Sequence, residues 1–275
     1  MTPSEAEAEQ LIEDLGLSLP IKPKEVCEQI STDDLLVEYS EKSFQSPDIC
    51  GFSIGRDNKI KVIVNSKINN SGRMNFTGAH EIGHVILHIQ KEIASEFTCT
   101  NDDVSGKNTA NKSYEKEANE FASSLLMPKL LIGKNIARND LTWELVHKLS
   151  VECESSLEAT ARRVINLSNE KCALVIHKNG KMWIPIRSPS FNEYIDPIPF
   201  PKRLSSYPDV QNSDYPNYLE ECDSDDWFRN PRNIPDTIQY LSIHNAEYDR
   251  RMTLLVIPEE DIDDEEDEWE EPSFR

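Results

Sequence analysis

What this chain lacks narrows its class. No apolar run approaches the ~20 residues that cross a bilayer, so no membrane partner is expected. The N-terminus, MTPSEAEAEQ, has neither the basic start nor the apolar stretch of a secretory signal, and a cytoplasmic location is expected. The 6 cysteines (Cys27, Cys50, Cys99, Cys153, Cys172, Cys222) contain no CxxC pair and are too thinly spread for a disulfide framework. They are expected to be reduced and to pack. Basic residues are scarce, 29 Lys+Arg against 50 Asp+Glu for a net charge of −21. Such a surface repels a phosphate backbone, so direct nucleic-acid binding is not expected. The imbalance is uneven, because EEDIDDEEDEWEEPSFR, residues 259–275, holds 11 acids and one Arg. A disordered acidic tail is expected there.

Turn and period signals divide the rest. Residues 5–15, EAEAEQLIEDL, have helical spacing, and Pro23 suits the first turn of a second helix. Residues 50–65 read as two strands about an Arg-Asp-Asn turn, with Ile60, Val62 and Val64 alternating. A helix is expected from about 78 to 90 with Thr77 as its cap. Residues 95–112 are polar and read as a loop. A second helix, SYEKEANEFASSLLM, is stopped by Pro128, and two more follow over 141–150 and 155–168, with Ser155 and Glu158 at capping-box spacing. Beyond about 170 strand signals dominate: a hairpin at Asn179-Gly180, an irregular Pro-rich stretch, and a second strand pair from 237.

Histidine is also scarce, 6 in 275 residues, yet NFTGAHEIGHVILH places three within nine positions. His80-Glu81-Ile-Gly-His84 is H-E-x-x-H. On a helix, residues four apart share a face, so His80 and His84 can present two imidazole nitrogens to one metal ion. Glu81 then lies within reach of an attacking water without being a ligand, as in zincins. The flanking Ile82, Val85, Ile86 and Leu87 bury this helix, and a buried pair of unsatisfied imidazoles would be costly.

A third ligand is needed, and Glu115, Glu117 and His88 compete. On a helical wheel Glu115 lies about 50° from the centre of the apolar face of its helix and Glu117 about 110°. Glu115 is therefore expected to ligate and Glu117 to face solvent. Asn119, one turn from Glu115, is placed to hydrogen-bond a ligating histidine from behind. Ligands at i, i+4 and i+8 cannot all reach one ion from a straight helix, so His88 is expected to pack or to orient substrate. For the oxyanion, Tyr114, His88 and Arg73 are candidates by position.

These two blocks together resemble the ImmA/IrrE family of metallo-endopeptidases. The residues that carry the resemblance are Arg73, Phe76, Thr77, Ala79, His80, Glu81, Gly83 and His84, then Glu115, Ala118, Asn119, Phe121, Ala122 and Leu125-Leu126-Met127-Pro128. The resemblance covers residues 1 to about 168. It implies an α+β fold: a zincin-like, mainly helical metallopeptidase domain with a small sheet (1–135) and a helix-turn-helix-like helical pair (136–170). A smaller α+β domain (171–258), compatible with a GAF-like sensory module, and the acidic tail would follow. It also implies one Zn2+ per chain, Glu81 as the general base, and a helix-turn-helix repressor of a mobile element or stress regulon as substrate. A non-catalytic antirepressor or transcription regulator is the alternative. The second helix of the pair offers only Arg162 and Arg163 as cations, which favours packing over DNA contact.

Overall fold

The computed structural model describes residues 1–104, 112–208, 214–229 and 234–258. The expected acidic tail, 259–275, lies outside the described residues. No helix among them is long and apolar enough to cross a membrane.

Helix α1 (Pro3–Leu15) opens with a capping box, Thr2 Oγ1 accepting from Glu5 N and Glu5 from Thr2 N, and turns Ala8 and Ile12 inward. Helix α2 (Pro23–Ile30) buries Val26 and Cys27. Strands β1 (Leu36–Lys42), β2 (Ile49–Arg56), β3 (Lys59–Asn65) and β4 (Glu96–Thr100) form a sheet in the order β1-β3-β2-β4. β1 runs parallel to β3, and the other pairs are antiparallel. Between β3 and β4 runs α3 (Ser71–His84), which continues into a π-helical turn, Val85–Ile89.

Two expectations are corrected here. α3 starts at Ser71, capped by Asn70 Oδ1 on Arg73 N at 2.8 Å. Thr77 is buried inside the helix and donates back to Arg73 O at 3.0 Å, as a mid-helix threonine can. The stretch 95–112 is not all loop. Glu96–Thr100 pairs with β2, and Asn101–Val104 forms a short helix, α4.

Helices α5 (Lys112–Leu126), α6 (Lys129–Arg138), α7 (Trp143–Glu152) and α8 (Leu157–Leu167) follow. The cap of α8 is Ser156, accepting from Ala159 N, one residue later than expected. A second sheet is built from β5 (Lys171–Lys178), β6 (Lys181–Arg187), β7 (Tyr207–Pro208), β8 (Glu220–Asp223), β9 (Thr237–Asn245) and β10 (Arg250–Ile257), in the order β6-β5-β10-β9-β7 with β8 also on β9.

Strand alternation makes this second sheet two-faced. Cys172, Leu174, Ile176, Leu241 and Leu254 join the same apolar core as α1, α3, α5 and α7. Ala173, Val175, Ile238 and Leu255 pack with Trp227, Phe228 and Phe191 on the other side. Trp143 Nε1 donates to Leu241 O at 3.0 Å, so the packing runs through the expected boundary near residue 170.

Arg163 ties the helices. Only 3% exposed, it donates from Nε to Met127 O (2.9 Å), from Nη2 to Ser124 Oγ (2.8 Å) and from Nη1 to Glu5 Oε1 (2.6 Å). Arg162 pairs with Glu158 on its own helix. Both cations of the second helix of the helix-turn-helix-like pair are thus engaged within the protein. Truncating one partner of such a buried pair leaves the rest unsatisfied, so Arg163→Ala is expected to lower the unfolding free energy by about 3 kcal/mol in a urea titration. A loss below about 1 kcal/mol would show that the guanidinium is not a tie.

Candidate metal centre

The histidines stand on the buried face of α3, where residues 77–84 are all buried. His80 Nδ1 lies 3.0 Å from Asn119 Oδ1, and the Asn119 amide nitrogen is itself donating to Asp103 O at 3.0 Å. The amide oxygen is therefore the acceptor and His80 Nδ1 the donor, which turns Nε2, the ring's other nitrogen, toward His84 and Glu115 as the atom able to offer a lone pair.

A longer relay does the same for His84. His88 Nε2 lies 3.0 Å from Glu117 Oε2, a carboxylate that can only accept, so the His88 proton is on Nε2. His88 Nδ1 then accepts from His84 Nδ1 at 3.1 Å, and His84 Nε2 is bare too. Burial pushes the His84 pKa down to about 4, so the ring is neutral. The π-helical turn brings His88 behind His84, out of line with the donor atoms.

The two bare nitrogens face each other at 3.1 Å. Glu115 Oε2 lies 3.1 Å from His80 Nε2 and 3.5 Å from His84 Nε2. A glutamate side chain at neutral pH is a carboxylate, so Glu115 brings a third lone pair to the same point. Three acceptor atoms converge in a dry interior, an arrangement that a cation relieves. With Cys99 Sγ, which burial holds well above its ordinary pKa, the donor atoms of His80, His84 and Glu115 all lie within 4.8 Å of one another. Imidazole, carboxylate and thiol groups at this spacing fit a divalent transition-metal ion such as zinc.

Glu81 belongs to neither relay. It is fully buried, and both carboxylate oxygens lack a hydrogen-bond partner among the described residues. Burial pushes its pKa up to about 7, against the lowering influence of His80 and of the nearby Cys99 and Ser53 side chains.

The IrrE N-terminal-like domain model of the peptidase M78 family matches residues 33–164. The chain carries an IrrE N-terminal-like domain. A Mycobacterium tuberculosis transcriptional regulator is similar in fold, with a TM-score of 0.50 over 94% of this chain and 88% of that one, at 10% identity. No curated protein matches the chain.

Within the IrrE N-terminal-like domain, two glycines set the site's dimensions. A Cβ on Gly83 would stand 3.1 Å from Ala118 Cα, so α3 and α5 meet backbone to backbone there. That contact brings Glu115 to the two histidines. A Cβ on Gly51 would fall 2.2 Å from Glu81 Oε1, so β2 makes room for the carboxylate only with glycine at that position. Phe97, two residues before Cys99 on β4, stacks on the His84 ring with centroids 4.0 Å apart and an interplanar angle of 13°.

Of the remaining sequence candidates, Tyr114 packs edge-on against His88 and is 40% exposed. Arg73 bonds to the Asn101 side chain at the start of α4. Glu117 is half-exposed but turns to His88 instead of facing only solvent. Sequence reasoning missed Gly51, Phe97, Cys99 and the Glu117 link. The one available signal was the Phe97/Cys99 alternation in EFTCT.

Two measurements check this geometry. Glu115→Ala is expected to weaken zinc binding by more than about 100-fold and His88→Ala by about 10- to 100-fold, read by chelator competition, because His88 holds the His84 ring from behind while Glu115 points at the donor nitrogens. Equal affinity in all three proteins would dissolve the relay. In chelator-treated protein the raised Glu81 pKa has a definite sign. The folded state holds the proton between the unfolded value of ~4.3 and about 7, so stability falls as pH rises through that window. Glu81→Gln removes the fall and should gain on the order of 3 kcal/mol over wild type on going from about pH 5 to about pH 8. Parallel pH profiles for the two proteins would contradict the burial cost.

Proposed function

We propose that the chain is a zinc-dependent endopeptidase of the ImmA/IrrE type, cleaving a helix-turn-helix repressor to switch on a mobile element or stress regulon. One observation carries the reading: the bare Nε2 atoms of His80 and His84 and the Glu115 carboxylate converge, with Glu81 buried and unpartnered beside them.

Zinc held by His80, His84 and Glu115 would supply Lewis acidity toward a peptide carbonyl and toward water. The chain's own residues do the rest. Glu81 takes the proton of the attacking water and delivers it to the leaving amine nitrogen. Its lack of partners leaves both oxygens available for that transfer. Asn119 and the His88–Glu117 pair hold the two imidazoles in the required tautomers. Of the three candidates for the oxyanion, His88 has both nitrogens engaged and Arg73 is bonded to Asn101, which favours the exposed, adjacent Tyr114.

A protein substrate suits the net charge of −21, since repressors that bind DNA carry basic faces. The engagement of Arg162 and Arg163 within the protein supports action on a repressor over direct DNA binding. A purely binding antirepressor would have no use for a buried, unpartnered carboxylate at position 81, which costs stability.

The test uses the purified full chain with purified helix-turn-helix repressors as candidate substrates. Wild type should bind close to one zinc and cleave. Glu81→Gln should keep the metal and the fold and show no cleavage. Full cleavage by Glu81→Gln, or by chelator-treated wild type, would overturn the proposal.

A further inference from the structure

Five of the six cysteines stand apart from the donor atoms, and Cys99 does not. Cys99 is fully buried on β4, on the same face as Phe97, which lies against His84. Its carbonyl accepts from Cys50 Sγ at 3.2 Å, and its strand neighbour across the ladder is Gly51, the residue that makes room for Glu81. These contacts aim the Cys99 side chain into the space between the donors and the Glu81 carboxylate, which the thiol also approaches.

The spacing decides between packing and ligation. Around a tetrahedral zinc with bonds of about 2.0–2.3 Å, ligand atoms stand about 3.3–3.8 Å apart. His80, His84 and Glu115 are already at 3.1–3.5 Å from one another. Cys99 Sγ, within 4.8 Å of all three, is about an ångström from completing the set.

We infer that Cys99 is a fourth, displaceable metal ligand, whose thiolate closes the coordination sphere in the resting protein and must leave before substrate can enter. This rests on the metal reading of the site but not on proteolysis. Binding exchanges the thiol proton for the metal: the S–H bond breaks, an S–metal bond forms, and the proton is released. A divalent ion deprotonates a coordinating thiol outright, so the buried group needs no base of its own. A four-ligand site is closed in the manner of structural zinc sites, whereas a catalytic one keeps a position open. Cys99 would thus determine which of the two states the centre occupies.

The experiment loads full-length protein with cobalt(II) in place of zinc and records near-ultraviolet absorption. Wild type should show a thiolate-to-cobalt charge-transfer band that Cys99→Ala lacks, and Cys99→Ala should bind zinc more than about tenfold more weakly in chelator competition. Cys99→Ser keeps the side-chain volume, so the same loss of the band in a serine variant with unchanged metal-free melting excludes a folding artefact. Cobalt taken up without the band, or unchanged zinc affinity in Cys99→Ala, would overturn the inference and leave the three-ligand centre standing. Failure of wild type to take up either metal would overturn both.

Discussion

Three electron-rich atoms held within 3.5 Å in a dry interior form the constraint on which this structure depends. They repel one another unless a cation lies between them, and the fold supplies the work that keeps them there. Asn119 and Asp103 turn His80, and Glu117 and His88 turn His84. Each ring is thereby locked with its lone pair inward. Glu81 is the other cost of the same design. A carboxylate with no partner at zero exposure is tolerated only where surrounding packing outweighs it, and α3 has that packing on every side.

The rest of the chain serves as the frame. α1, α5 and α8 are joined through Arg163, so the helix that carries Glu115 and Asn119 is fixed by contacts far from the centre. The second sheet covers the helices with one face and buries its other face beneath Trp227 and Phe228. The helical pair that could have suggested DNA reading packs against the second sheet, and the two arginines of its second helix are held by partners within the protein.

Much of this was legible in sequence. The helices show a 3.6-residue period, and H-E-x-x-H places two nitrogens on one face. The wheel position of Glu115 places it at the edge of the core, where it is 7% exposed. What stayed hidden has physical reasons. The first two turns of α3 lie in a polar stretch with no apolar period, so Thr77 looked like the cap and Asn70 did not. β4 is five residues long within a polar run, with only Phe97 and Cys99 pointing inward. Glu117 does point away from the apolar face, but the π-helical turn swings His88 out to meet it, and no residue pattern announces such a turn.

The contact between Gly83 and Ala118 bears on how this centre can change over time. Side-chain contacts can absorb a substitution by switching rotamers, but two backbones in contact cannot. The gap between α3 and α5 therefore behaves as a fixed tolerance, set by the two smallest side chains and not adjustable afterwards. A single added methyl group at either position would act as a shim, widening the spacing of the donors without touching any of them. The residues most restrictive of the donor spacing here are thus ones that carry no chemistry themselves.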